Sequence, residues 1–202
     1  MARRSDHSRE EIREMVLRAT ESIVSEQGYA GLTVRKVAMR IGYTVGSIYL
    51  VFKNLDDLIL HVNARTLEEL SRKLDESMSA QRSPMDNINA LGRAYLRYAS
   101  ERFYRWSMIF EHRFPDTDAV PEWYLERVLE LIKKVEIQCA GLASHRSEAE
   151  IRLAARTLWS GVHGVCILAL TGKLAVVGSE DVERSVDSLV TNYLQGWLGL
   201  NR

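Results

Sequence analysis

Apolar residues recur along this chain every three to four positions and strand-like alternation is scarce, so the pattern predicts an all-α protein. The first stripe is Ile12, Met15, Val16, Ala19 and Ile23; Ser8 and Glu11 open it as a capping box and Gly28 ends it. A shorter stripe follows at Val34, Val37, Ala38 and Ile41. Thr33 stands as its N-cap, Leu32 as a staple against Val37, and Gly42 where a left-handed residue closes a helix. The same grammar then repeats: Thr44 caps a second short helix whose inward face is Val45, Ile48, Tyr49 and Phe52. Two capped helices, each too short to be stable alone and joined by a glycine turn, predict a helix-turn-helix, with the helix over 8–28 supporting it from behind.

Beyond residue 54 the predicted helices lengthen. Asn54 can cap a helix with Asp56 and Asp57 in its first turn, and Leu55, Leu58, Ile59, Val62, Leu70 and Leu74 carry it to about Met78, long enough to link two domains mechanically. Residues 81–84 break the pattern, and Pro84 suits the first position of the next helix. The chain then reads as helical from 85 to 114 with a break near Phe103, followed by a loop at 114–118 and a helix from Pro121 to about Ser144. Ser147 and Glu150 form a second capping box for a helix from 148 to about 170; residues 172–178 make a short connection, and Ser179 caps the last helix. The expected organisation is a helix-turn-helix DNA-binding domain over 1–54 and a helical-bundle domain over 55–202.

The helix-turn-helix region carries its own chemistry. Residues 33–53 include Arg35, Lys36, Arg40 and Lys53 and no acid. In this motif the N-terminal residues of the second helix meet base edges in the major groove while the first helix lies across the backbone. Those positions are Thr44, Val45, Gly46 and Ser47, all small, and Gly46 is a poor choice for helix stability alone. The candidate DNA-binding residues are therefore Thr33, Arg35, Thr44, Val45, Gly46, Ser47, Tyr49 and Lys53.

The stretch LTVRKVAMRIGYTVGSIYLVFKNLDDLI resembles the DNA-binding signature of TetR-type transcriptional regulators, whose GxxxGxxYxxFxxxxxL core stands here as Gly42, Gly46, Tyr49, Phe52 and Leu58. The turn over 28–34 matches as well, so the resemblance covers about the first quarter of the chain. Two positions depart from it: the family's phosphate-facing His and Lys are Val51 and Leu55, with Lys53 available as a substitute. The resemblance implies a repressor bound as a homodimer to a palindromic DNA operator and controlled by a small-molecule effector, with no cofactor; the polar N-terminus, without an apolar signal region, makes a cytoplasmic location the default expectation. The competing expectations are a helical-bundle enzyme using Glu111, His112 or His163 as acid or base, and an interaction module that has lost DNA binding.

An effector pocket of the implied kind is mostly apolar. Its expected lining is Phe103, Trp106 and Phe110 in the aromatic segment, Trp123, and Trp159 with His163, for a small apolar or aromatic molecule. The stretch 158–164, LWSGVHG, also resembles the Trp-His-Gly signature of one subgroup of these regulators. The segment from Leu158 is apolar nearly all round, and the last helix has the stripe Val182, Val186, Leu189, Val190, Tyr193, Leu194 and Trp197. Two adjacent helices this apolar exceed the needs of one small core, so Leu158, Val162, Val186, Leu189, Val190, Tyr193 and Trp197 are expected at a dimer interface.

Charge sharpens this division. The 202 residues balance 27 Lys and Arg against 27 Asp and Glu, yet residues 1–54 hold nine cations and six acids, a net of +3, and the rest is −3. The basic half is the half with the motif. Cys139 and Cys166 lack zinc-type spacing and read as buried reduced thiols, and the longest apolar run, 165–170, is too short to span a bilayer.

Overall fold

A computed structural model describes residues 7–113, 120–178 and 181–199, and every regular element among them is helical. The helices are α1 (Arg9–Gln27), α2 (Val34–Ile41), α3 (Val45–Tyr49), α4 (Leu55–Ser77), α5 (Pro84–Glu101), α6 (Phe103–Glu111), α7 (Glu122–Leu142), α8 (Glu148–Leu170), α9 (Lys173–Val176) and α10 (Val182–Leu198), with one 3-10 turn at Tyr29–Gly31. Packing divides the chain into two compact units, Met1–Thr66 with Arg102–Tyr124, and Leu67–Glu101 with Leu125–Arg202. The first unit thus takes the opening turns of α4 and all of α6 in addition to residues 1–54, because Leu58, Ile59, Val62 and Met108 bury themselves in one core with Val16, Val37 and Ile48.

In the first unit the caps form where the sequence puts them. Ser8 and Glu11 exchange bonds of 2.6 and 3.2 Å, and these hold the Glu11 carboxyl below the usual carboxylate range. Thr33 accepts from the Lys36 N–H and Thr44 from the Ser47 N–H, both at 3.2 Å. Gly42 closes α2 at φ 74°, ψ 26°, left-handed values that glycine adopts without steric cost. Asn54 caps α4, accepting from the Asp57 N–H at 2.8 Å.

In the second unit α5, α8 and α10 pack closely. A Cβ on Gly92 of α5 would stand 2.9 Å from Val186 Cγ1, and one on Gly161 of α8 would stand 2.7 Å from Leu189 Cδ2. Arg93 joins α5 to α10 through a two-pronged pair with Asp187 at 2.7 and 2.8 Å. Two expectations change here. The connection over 172–178 contains the single turn α9, and the N-cap of α10 is Asp181, whose carboxylate accepts from the Arg184 N–H at 2.9 Å. Ser179 lies outside the described residues, as does the loop at 114–118. Helix α8 has the length and composition to cross a membrane, which the short run at 165–170 did not suggest, but it packs against α5 and α10.

Candidate nucleic-acid interface and effector cavity

Helix α3 is anchored by Ile48 and Phe52, both buried in the core of the first unit, with Val45 and Val51 partly buried beside them. At about 100° of rotation per residue, that anchoring turns Gly46 and Leu50 to the opposite face. Leu50 keeps helical angles, φ −74° and ψ −20°, so the helical phase carries through it, and it is 64% exposed. Thr44 and Ser47 are joined by their hydroxyls at 3.0 Å, and Tyr49 is exposed. A Cβ on Gly46 would meet only Thr44 Oγ1, at 3.7 Å, so packing does not require glycine there.

The cations sort into two kinds. Arg40 is engaged with Glu26 at 2.6 and 2.8 Å and with Ser22 at 2.6 Å, which lowers the Glu26 carboxyl to about 2. Lys36 Nζ donates to Gln27 Oε1 and to the Gly31 carbonyl, both at 2.7 Å. Arg35 and Lys53 are exposed and make no side-chain bond among the described residues. Thr33 is also exposed, but its hydroxyl serves as the α2 cap. Val51 and Leu55, where the resemblance led one to expect phosphate contacts, are partly buried against the core and serve packing.

Two contacts were missed by sequence reasoning because they join residues 36 and 41 positions apart. His7 Nδ1 pairs with the Tyr43 hydroxyl at 2.8 Å, and the Arg9 guanidinium donates to the Leu50 carbonyl. The start of α1 therefore holds both ends of α3.

The aromatic residues expected around an effector do not form one group. Trp106 is fully buried, Phe103 is half-buried, Phe110 is exposed, and Trp123 lies against His61 with centroids 4.8 Å apart and the rings tilted by 37°; all four belong to the first unit. His112 is buried in the same unit, its Nδ1 3.2 Å from the Tyr29 hydroxyl and its Nε2 3.7 Å from Asp56; burial lowers its pKa, against the pull of Asp56. The second unit contains an apolar cavity of about 40 Å³ whose lining includes Leu74, Leu91, Tyr95, Leu131, Trp159 and Val190. His163 stands behind Trp159, stacked at 5.5 Å, and pairs through Nδ1 with the Tyr95 hydroxyl at 3.0 Å; burial lowers its pKa. Of the six expected ligand residues, then, Trp159 faces this cavity and His163 braces it. The other four belong to the first unit, Phe103, Trp106 and Phe110 on α6, which packs against α1, and Trp123 at the start of α7.

The expected interface stripe also divides. Leu158, Val162, Val186 and Val190 are buried within the chain itself, a correction that follows from α5 lying against α8 and α10. Leu189, Tyr193 and Trp197 remain partly exposed, with the Arg146 guanidinium 5.2 Å over the Trp197 ring. Leu153, Thr157, Ser160 and Leu168 of α8 are exposed on one face, and no stripe count had singled them out. Cys139 and Cys166 are free and buried, and burial pushes their thiols up to about 11 and about 12.

Comparison with known proteins accords with this arrangement. Residues 16–62 match the family model described as bacterial regulatory proteins, tetR family, and residues 88–193 match that of the tetracyclin repressor-like C-terminal domain. The HTH-type transcriptional repressor KstR of Mycolicibacterium smegmatis is 32% identical over 79 residues, which are 39% of this chain and 39% of that protein. The chain thus matches about two fifths of that relative's length. The uncharacterized HTH-type transcriptional regulator Rv0681 of Mycobacterium tuberculosis is 26% identical over 171 residues, 84% of this chain and 75% of its own. A protein with unknown function from Rhodococcus sp. RHA1 shares the fold, with a TM-score of 0.76 at 17% identity over 97% of this chain and 98% of that one. The C-terminal match spans more than half of the chain and the N-terminal match falls on α1 to α4, so the chain belongs to the TetR family: it is a helix-turn-helix transcription regulator and not an enzyme.

Proposed function

We propose that the chain represses transcription in the cytoplasm as a homodimer on a palindromic operator, released by a small apolar or aromatic effector. Residues 1–54 are the DNA-binding domain in this reading, and 55–202 the ligand-binding and dimerisation domain. The observation that carries it is the surface of α2 and α3. Arg35 and Lys53 are exposed and make no side-chain bond among the described residues, while Glu26 is occupied by Arg40 and Asp57 by the Lys53 N–H at 2.9 Å. Exposed cations beside an acid-free helix start suit phosphates, and Gly46 lets the backbone approach base edges. The repressor sense is supported by the name of the KstR relative.

The dimer reading is supported by α8, of whose most apolar 18-residue stretch only 28% is buried within the chain. The same face on a second copy would cover it about a two-fold axis, together with Leu189 and Tyr193. Two α3 helices would then enter major grooves about 34–36 Å apart, or a multiple of that. For the effector, a cavity of about 40 Å³ holds two or three waters at most. A drug-sized ligand needs several hundred Å³, so binding must spread the helices that meet there, among them α4 at Leu74. An effector that favours the spread form weakens DNA binding, and DNA weakens effector binding by the same factor. Trp159, His163 and Gly164 are the residues behind membership of the Trp-His-Gly subgroup, which is part of this proposal.

Selection from a random DNA pool with the purified full chain, at two salt concentrations, tests the reading. An enriched palindrome whose affinity falls steeply with salt is expected. Failure to enrich any sequence at either salt would overturn it.

A further inference from the structure

We propose that Leu50 reads the 5-methyl group of a thymine in the operator from the open outer face that it shares with Gly46, an inference that rests on α3 being the DNA reader. Residues 44–50 contain no Arg, Lys, Asn, Gln, Asp or Glu, so this helix has no side chain for the two-pronged pairs that identify guanine or adenine. The Thr44 and Ser47 hydroxyls serve each other at 3.0 Å and the helix start at 3.2 Å, and the Tyr49 phenol has a single hydroxyl and makes no such two-pronged pair. Ile48 and Phe52 point into the core. What faces outward at the centre is Gly46 and, one turn later, Leu50.

Helical side chains lean toward the N-terminus, so the Leu50 side chain is directed over the turn that contains Gly46. The space there is open, with only Thr44 Oγ1 within 4 Å of a Cβ on Gly46. A leucine 64% exposed contributes little to the core, and the Arg9 guanidinium on its carbonyl fixes the end of the helix that presents it. In the major groove the apolar feature that distinguishes one base is the thymine methyl. Arg35, exposed on α2, is left as the planar donor for a guanine or a phosphate.

The test uses the operator obtained by selection. Each thymine is replaced in turn by deoxyuridine, which removes the methyl and nothing else, and affinity is measured by fluorescence anisotropy for the full chain and for Leu50→Ala. One thymine per half-site is expected at which deoxyuridine weakens the wild type by about fourfold, the transfer value of one methyl-sized group. Leu50→Ala should bind the two operators equally, and so should Leu50→Gln, which keeps the length but loses the apolar tip. An enriched operator with no deoxyuridine-sensitive thymine, or a sensitivity that persists in Leu50→Ala, would overturn the inference and leave the DNA-reading role standing. No enriched operator would remove both.

Discussion

Gly42 and Gly46 are four residues apart and look alike in the sequence, yet the backbone separates their roles. Gly42 sits at φ 74°, where an L side chain is strained, so Gly42→Ala should cost about 1–2 kcal/mol in urea unfolding. Gly46 is helical with open space around it, so Gly46→Ala should raise stability by roughly 0.5–1 kcal/mol. The same change should lower operator affinity if α3 reads DNA as proposed, because the added methyl takes up the open space through which the backbone would approach base edges. Stability and affinity moving together in Gly46→Ala would count against a DNA-facing role. His163 gives a further outcome. Its folded pKa is lowered by burial, so the native state resists its protonation. The associated stability is present above about pH 6.5, the ordinary value, and is lost as pH falls through the lowered one. The thermal midpoint should therefore drop between pH 8 and 5, and less steeply in His163→Phe; His112, lowered in the same direction, supplies the remaining slope.

Helix starts were legible because capping is local: Ser8, Thr33, Thr44, Asn54 and Ser147 each accept from an N–H three residues on. Which side of a helix meets which neighbour was not, because that depends on residues far away in the chain. Gly92 illustrates this. It is an unremarked residue inside a helical stripe, but α10 approaches so closely that Gly92→Ala should cost about 1–3 kcal/mol by forcing Val186 aside. A urea midpoint equal to that of the wild type would mean that α5 and α10 can part without cost. The aromatic run of α6 misled for the same reason: periodicity announces that an apolar side is buried, not in which core.

For the assembled protein, the exposed face of α8 sets the expectation. Gly164 has nothing within 4 Å of a Cβ, so the single chain leaves room for a side chain to start there, and Gly164→Arg places a charge in the proposed two-fold contact. Sedimentation should find this variant monomeric, with its operator affinity much reduced; a dimer of unchanged strength would move the contact elsewhere. The buried thiols report on the same fold from inside. With pKa values pushed to about 11 and 12, Cys139 and Cys166 should be nearly inert to thiol reagents near pH 7 and react only as the chain opens.

Class, the order of the longer helices, the caps of α1, α2, α3, α4 and α8 and the basic character of the first quarter follow from the chain alone, since each rests on neighbours within a few residues. So does the helix-turn-helix, because its two short helices and glycine turn are contiguous. Folding was needed to reveal that Arg40 and Lys36 are already engaged while Arg35 and Lys53 make no side-chain bond among the described residues, and that Leu50 is exposed. Folding likewise assigned Val186 and Val190 to the chain's own core and brought Tyr95, Trp159 and His163 together. Each of those outcomes depends on which distant segment comes to lie alongside, and pairwise contact across tens of residues leaves no mark in local periodicity or charge.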